Sequence, residues 1–335
     1  MIQLPDRWLK GDAREQALLK FSGLLRDLSS KIGFKVSSRG WCYILEEHGL
    51  RKGDFARAQK VINDCRKNGY LPISFTVEDK SRSTDNIESL DSRGPEGYAY
   101  FIVEQMIDNY IHWYSPISFW DNQNYYVEVA VEKVDLVTLF KPECRRLNVP
   151  ITNFKGWSDI NSRAAMMNRF QARQDEGKEC VLLYCGDHDP GGLNISKTIR
   201  QNMEQLAEAD GIDGWWPDEV EIVRFGLNYA FIEEHHLSWI DNLETASGKN
   251  LANPRHKDHH KPYVQNYLNK YGARKVEANA LVTRPDAGRQ LIRETLKKYI
   301  DAEAVEKWEE LVRGERERLT GNVMELLQEK FSKEE

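Results

Sequence analysis

Apolar positions recur at helical spacing over the first seventy residues and then give way to short apolar runs. Leu18, Phe21, Leu25, Leu28 and Ile32 follow the capping signature Asp12-Ala13-Arg14-Glu15. They predict a helix over about 13–32 that ends near Gly33. Ser37-Ser38 opens a short second helix carrying Arg39, Trp41, Tyr43, Ile44 and Leu45, ended by Gly49. Asp54 caps a third, with Phe55, Ala58, Val61, Ile62 and Cys65 inward and Asn68-Gly69 as its stop. Leu71–Val77 alternates as a strand. Three helices followed by a strand predict a winged helix-turn-helix with its third helix toward a DNA groove. A small helical domain with a merely solvated basic face is the alternative.

Residues 80–97 are polar, with a Gly-Pro pair, and predict a linker or loop. An aromatic-rich helix follows over about 98–114. Beyond it, strands and helices alternate: strands 125–132, 149–154, 180–185 and 220–225, helices 136–147, 158–173 and 193–206. That order predicts a mostly parallel sheet covered on both faces, an α/β domain. The charged stretch 287–331 predicts a solvated amphipathic helix pair.

Composition adds three limits. At 335 residues the chain accommodates two domains. No apolar run is long enough for a membrane span, and the start resembles no signal peptide, so a cytoplasmic, nucleoid-associated location is expected. Cys42, Cys65, Cys144, Cys180 and Cys185 are odd in number and form no Cys-x-x-Cys pair, which points to reduced buried thiols. Net charge is −6, yet residues 1–90 hold 16 basic and 12 acidic side chains. A basic N-terminal part on an acidic body still offers DNA a favourable local field.

The chemistry concentrates where the apolar run Cys180–Cys185 drops into Gly186-Asp187-His188-Asp189-Pro190-Gly191-Gly192. In an open α/β sheet, ligands bind at the carboxyl ends of the strands. Two carboxylates on a strand tip suit Mg²⁺, a hard cation that takes one or two protein carboxylates. A calcium loop of the EF-hand type needs Asp or Asn at its fifth position and Glu at its twelfth. Gly191 and Thr198 stand there. A strand-to-helix turn capped by Asp189 is the alternative without metal. The first strand of the same sheet ends at Glu132, which converges with Asp187 and Asp189 if the strands are parallel.

A Glu on the first strand and Asp-x-Asp on a later one resembles the Toprim pattern of topoisomerases, primases and related nucleases. Asp187-His188-Asp189-Pro190-Gly191-Gly192-Leu193-Asn194-Ile195 is similar to the Asp-x-Asp-Pro-x-Gly-x-x-Ile of the topoisomerase VI A subunit and its meiotic double-strand-break relatives. Lys155-Gly156-Trp157-Ser158-Asp159-Ile160-Asn161-Ser162-Arg163 resembles that family's Lys-Gly-x-Pro-Asp-x-x-x-Arg, with Ser158 in place of proline. Arg39-Gly40-Trp41-Cys42-Tyr43 resembles its Arg-x-x-Tyr-Tyr on a CAP-like winged helix, with Cys42 replacing the first tyrosine. Segments 223–227 and 276–281 are also similar to late family segments. The short N-terminus most resembles the stand-alone "mini-A" relatives.

The resemblance implies a winged-helix domain over 1–79, a linker and connecting helix over 80–124, a Toprim domain over 125–300 and a helical extension over 301–335. It implies that Tyr43 is the nucleophile, assisted by Arg39, and that Glu132, Asp187 and Asp189 hold Mg²⁺. Arg57, Lys60, Arg66, Lys67, Lys155 and Arg163 are the expected DNA contacts. The partners it implies are double-stranded DNA, a second copy whose carboxylates meet this chain's tyrosine, and a separate GHKL-type ATPase B subunit. The chemistry is consistent with these roles. A phenol near its normal pKa of about 10 needs a nearby cation or base, and Arg39 lies one helical turn from Tyr43.

Two other readings remain: a Toprim nuclease using metal-activated water, and a non-catalytic DNA-binding or assembly subunit. His235-His236 and the histidines 256, 259 and 260 lack a second half at zinc-ligand spacing, and the chain has no P-loop.

Overall fold

The computed structural model describes residues 3–77, 88, 90–154, 160–209, 212, 214–244 and 250–331. The chain divides into two compact units, Met1–Glu78 with Tyr126–Leu296, and Asp79–Tyr125 with Lys297–Glu335.

The first unit begins with α1 (Gly11–Ile32), α2 (Ser38–Glu47) and α3 (Phe55–Lys67). Lys10, not Asp12, is the N-cap residue of α1. Asp12 falls in the first turn, where a carboxylate favours the positive end of the helix. Ser37 does cap α2, its hydroxyl accepting from the Gly40 N–H at 2.9 Å. Leu18, Phe21, Leu25, Ile44, Leu45, Ala58, Ile62 and Cys65 close a common core. Complete burial of each large aliphatic side chain contributes about 1.5–3 kcal/mol.

Residues 71–77 do not form the expected strand. Ile73–Phe75 is a 3₁₀ turn, and pairing is limited to one parallel bridge between Val36 and Thr76. Trp41 stacks on Phe75 at 5.0 Å, and Arg66 bonds the Ile73 carbonyl at 3.0 Å. The alternation of apolar residues therefore serves packing onto the helices. No hairpin wing forms among the described residues.

In the second unit, α4 (Pro95–Gln105) continues into a π-helical stretch, Met106–Ile111. The predicted helix is thus present, with one widened stretch. Tyr100, Tyr110 and Trp113 on it are exposed.

The first unit resumes with four strands: β1 (Tyr125–Val131), β2 (Ile151–Asn153), β3 (Glu179–Cys185) and β4 (Val220–Arg224). They form one parallel sheet in the order β2-β1-β3-β4. Helices α5 (Val134–Arg146), α6 (Ile160–Asp175), α7 (Pro190–Leu193) and α8 (Ile195–Glu204) make the crossovers. β1 and β3 are buried along nearly their whole length, which is why both read as continuous apolar runs. From β1 the chain crosses to β2 on one side, and from β3 to β4 on the other. The carboxyl ends of β1 and β3 therefore flank the topological switch point, where open α/β sheets form their crevice.

Three later elements follow: α9 (Tyr229–Glu234), α10 (Pro262–Tyr271) and the 3₁₀ segment Ala278–Thr283. These elements are not among those expected from the sequence. The 3₁₀ segment packs against α2 and α5, and Val282 enters the N-terminal core. The predicted C-terminal pair is α11 (Pro285–Leu296), which packs on α5, and α12 (Ala302–Phe331) in the second unit. Within that unit, the Trp308 indole N–H donates to the Ile117 carbonyl at 2.9 Å. No helix among the described residues is long and apolar enough to cross a membrane.

Candidate functional site

The switch point brings Glu132 and Asp187 together. Glu132 follows β1, and its Oε2 accepts the Asp187 backbone N–H at 2.9 Å and the Tyr184 hydroxyl at 3.3 Å. Its Oε1 meets the Lys133 ammonium at 3.0 Å. The same ammonium lies 2.9 Å from Asp187 Oδ2 and 3.4 Å from Glu277 Oε2. Glu277 also pairs with Lys275 at 2.8 Å and with Lys52.

Backbone pairing explains why residue 277 arrives here. His188 and Val276 form an antiparallel bridge, with N–H···O distances of 2.8 and 3.1 Å. The Ala278 N–H then donates to Asp187 Oδ1 at 2.7 Å. The loop after β3 is held from below by Arg224, whose guanidinium donates to the carbonyls of Gly186 (3.0 Å), Asp187 (2.8 Å) and Gly192 (3.2 Å). Gly192 is required by close approach: a Cβ there would sit 2.0 Å from the Asp187 carbonyl oxygen.

Asp189 is occupied differently. Its Oδ1 accepts the Gly192 N–H at 2.6 Å and caps α7. His188, between the two aspartates, is a core residue. Its Nδ1 meets the Leu227 carbonyl at 2.7 Å, its ring contacts Trp239, Tyr267 and Tyr271, and burial lowers its pKa to about 4.

Tyr43 and Arg39 lie on one face of α2, with the guanidinium 5.6 Å from the Tyr43 ring and 4.9 Å from Phe55. Lys133 lies 5.5 Å from the same Tyr43 ring. Arg39, Tyr43, Glu132, Lys133 and Asn279 line a single cleft of about 680 Å³. Sequence reasoning missed the anchor of α2. Asp135 is buried and accepts the Ser37 N–H at 3.0 Å. Gly40 lets the helix close on it, since a Cβ there would be 2.0 Å from Asp135 Oδ2. Cys42, where the resemblance expects tyrosine, is buried, its thiol toward the Ser38 and Phe55 carbonyls.

The charges are strongly coupled. Burial alone would lower Lys133, but Asp187, Glu132 and Glu277 outweigh it and keep the ammonium protonated. Burial would raise Glu277, but Lys133, Lys275 and Lys52 hold it well below the usual carboxylate range. Glu132 also falls below its ordinary value, the pull of Lys133 outweighing burial. Asp187 is pushed up by burial, with Glu277 and Glu132 adding to the shift. Burial raises the Tyr43 phenol, and Lys133 and Arg39 oppose it.

Hard oxygen donors around a buried cation are the donor set a divalent ion uses. Glu132 and Asp187 fit that chemistry, since both are carboxylates that already face a cation. Among the described residues, no three His, Cys, Asp or Glu side chains stand ready around one point for a metal. The ammonium stands between the carboxylates instead.

The expected DNA contacts divide. Lys60 and Lys67 are exposed on α3. Arg57 bonds the Pro5 carbonyl at 2.6 Å, Arg66 bonds Ile73, and Arg163 is buried and bonds the Asn202 carbonyl at 2.9 Å. Lys155 lies outside the described residues. Comparison with family models, curated proteins and solved structures gives no match.

Proposed function

We propose that this chain is a metal-dependent phosphodiester-cleaving enzyme acting on DNA. More narrowly, we read it as a relative of the topoisomerase VI A subunit, with a Toprim-type sheet and a CAP-like helical domain. It cleaves duplex DNA, and in the reversible case rejoins it, through a tyrosine ester. The observation that carries the reading is the cleft shared by Tyr43, Arg39, Glu132 and Lys133. It unites a nucleophile, two cations and a carboxylate drawn from sequence segments some ninety residues apart.

In this reading the Tyr43 phenol gives its proton to water and Oη attacks phosphorus; the P–O3′ bond breaks, the 5′ phosphate remains on tyrosine, and the leaving 3′ oxygen takes a proton from water. Arg39 and Lys133 favour the phenolate and the charged phosphate. Glu132 and Asp187 would hold Mg²⁺, with Asp189 supporting the loop as the cap of α7. When bound, Mg²⁺ stabilises negative charge on the phosphate and the leaving oxygen. Lys60 and Lys67 contact the DNA backbone. Two copies act together on the two strands, with or without an ATPase partner.

Tyr43→Phe tests the nucleophile: the protein–DNA adduct should vanish. Cleavage that survives Tyr43→Phe but not Asp187→Ala would favour hydrolysis by metal-activated water. That second reading has one observation in its favour, the burial that raises the Tyr43 phenol.

A further inference from the structure

We propose that Asn279 is an additional oxygen ligand of the divalent-cation site, completing with Glu132 and Asp187 the set that Asp189 leaves short. The proposal rests on the cation reading of the cleft given above.

Asn279 is 3 % exposed, and its Oδ1 finds no hydrogen-bond partner among the described residues. A buried amide oxygen left unpaired destabilises the fold, because its lost hydration is not replaced. Such an atom persists where it meets something other than the folded chain itself. Asn279 lines the same cleft as Glu132, Lys133 and Tyr43. Its neighbour explains how it is aimed there: the Ala278 N–H is bonded to Asp187 Oδ1, so the backbone passes the aspartate just before residue 279. Glu277, one step earlier, faces Lys133, Lys275 and Lys52. Three consecutive residues thus take three roles: a counter-charge for the lysines, a backbone donor that orients Asp187, and a free carbonyl oxygen.

The ligand class follows from the chemistry. Side-chain amide carbonyls are hard oxygen donors and sit beside carboxylates in Mg²⁺ and Mn²⁺ sites. Asp189 stands apart from the cluster that Glu132, Asp187 and Glu277 form around Lys133, and its Oδ1 caps α7 instead. Lys133 has no donor lone pair while protonated, so in the bound state it serves as a neighbouring cation.

The test is direct Mn²⁺ binding to the full chain in the presence of a short DNA duplex. It is read from the electron paramagnetic resonance signal of free Mn²⁺ and repeated in competition with Mg²⁺. Asn279→Leu removes the oxygen at similar volume and should weaken Mn²⁺ binding about ten- to a hundredfold. Its melting temperature should stay the same or rise, since a buried unpaired polar atom has been removed. Asn279→Asp keeps an oxygen and should retain or tighten binding. Equal Mn²⁺ affinity in the unsubstituted chain and Asn279→Leu would overturn the proposal. If Glu132→Gln and Asp187→Asn then still abolish binding, the cation reading stands without Asn279. No Mn²⁺ binding by the unsubstituted chain overturns both this assignment and the cation site.

Discussion

Tyr43 sits in two competing environments. Burial raises its phenol while Lys133 and Arg39 pull it down. Lys133 is therefore the residue whose loss should change most. Lys133→Met leaves Glu132, Asp187 and Glu277 facing one another without their shared cation. Breaking a buried ion cluster in this way costs about 3–5 kcal/mol, and thermal unfolding in metal-free buffer measures it. Addition of Mg²⁺ should recover part of that loss, since a ligand that binds only the folded state stabilises it.

Glu47 gives a separate pH prediction. Burial raises its pKa to about 7 against the ordinary 4.5, opposed by Thr283 and Arg284, with Glu46 adding to the rise. Its Oε1 finds no partner among the described residues. The folded chain keeps a proton on Glu47 that the unfolded chain releases. Stability should therefore fall as pH rises from about 4.5 to about 7 and level off above. Glu47→Gln should remove this part of the slope and stabilise the protein at pH 8 by on the order of 1–2 kcal/mol. Denaturant titrations at pH 5 and pH 8 would show it, and an equal effect at both would contradict the assignment.

At the scale of elements, the site depends on how α2 and the loop after β3 are fastened. Gly40→Ala drives a methyl into Asp135 and should cost about 1–3 kcal/mol. It should also lower cleavage more than DNA binding, because α2 carries Tyr43 while Lys60 and Lys67 lie on α3. Binding titrations beside cleavage assays separate the two effects. Much of this level was legible in the sequence. β1, β3 and the three N-terminal helices announced themselves by burial on both faces or by strong 3.6-residue periodicity. The Asp187 loop was legible as a strand tip. What escaped was carried by contacts distant in sequence. Nothing local in the sequence marks Asp135 as the anchor of Ser37. Glu277 just precedes, and Asn279 lies in, a 3₁₀ segment without periodicity, brought in by the bridge between His188 and Val276. Residues 71–77 misled because alternation that packs onto helices looks the same as alternation in a sheet. Arg57, Arg66 and Arg163 read as free cations, yet their guanidiniums bond carbonyls of their own chain.

For the whole molecule, charge and assembly are the relevant quantities. The basic excess lies in residues 1–90 while the whole chain is at −6. DNA affinity should fall steeply with salt, and replacing Lys60 and Lys67 together with Ala should reduce the slope of log K against log salt by about 2. The cleft places Tyr43 with Glu132 of its own chain, whereas the family resemblance pairs each tyrosine with the partner's carboxylates. Mixing Tyr43→Phe with Asp187→Asn chains decides this. Restored cleavage in the mixture means the site works between copies, and none means that it works within one.

In the proposed reaction Tyr43 becomes covalently joined to DNA. Supercoiled plasmid incubated with Mg²⁺ and the protein, then quenched with detergent, tests it when one half is digested with protease before electrophoresis. Linear DNA should enter the gel only after protease and be absent with Tyr43→Phe. Linear DNA that migrates freely without protease, or an adduct that persists in Tyr43→Phe, would contradict it.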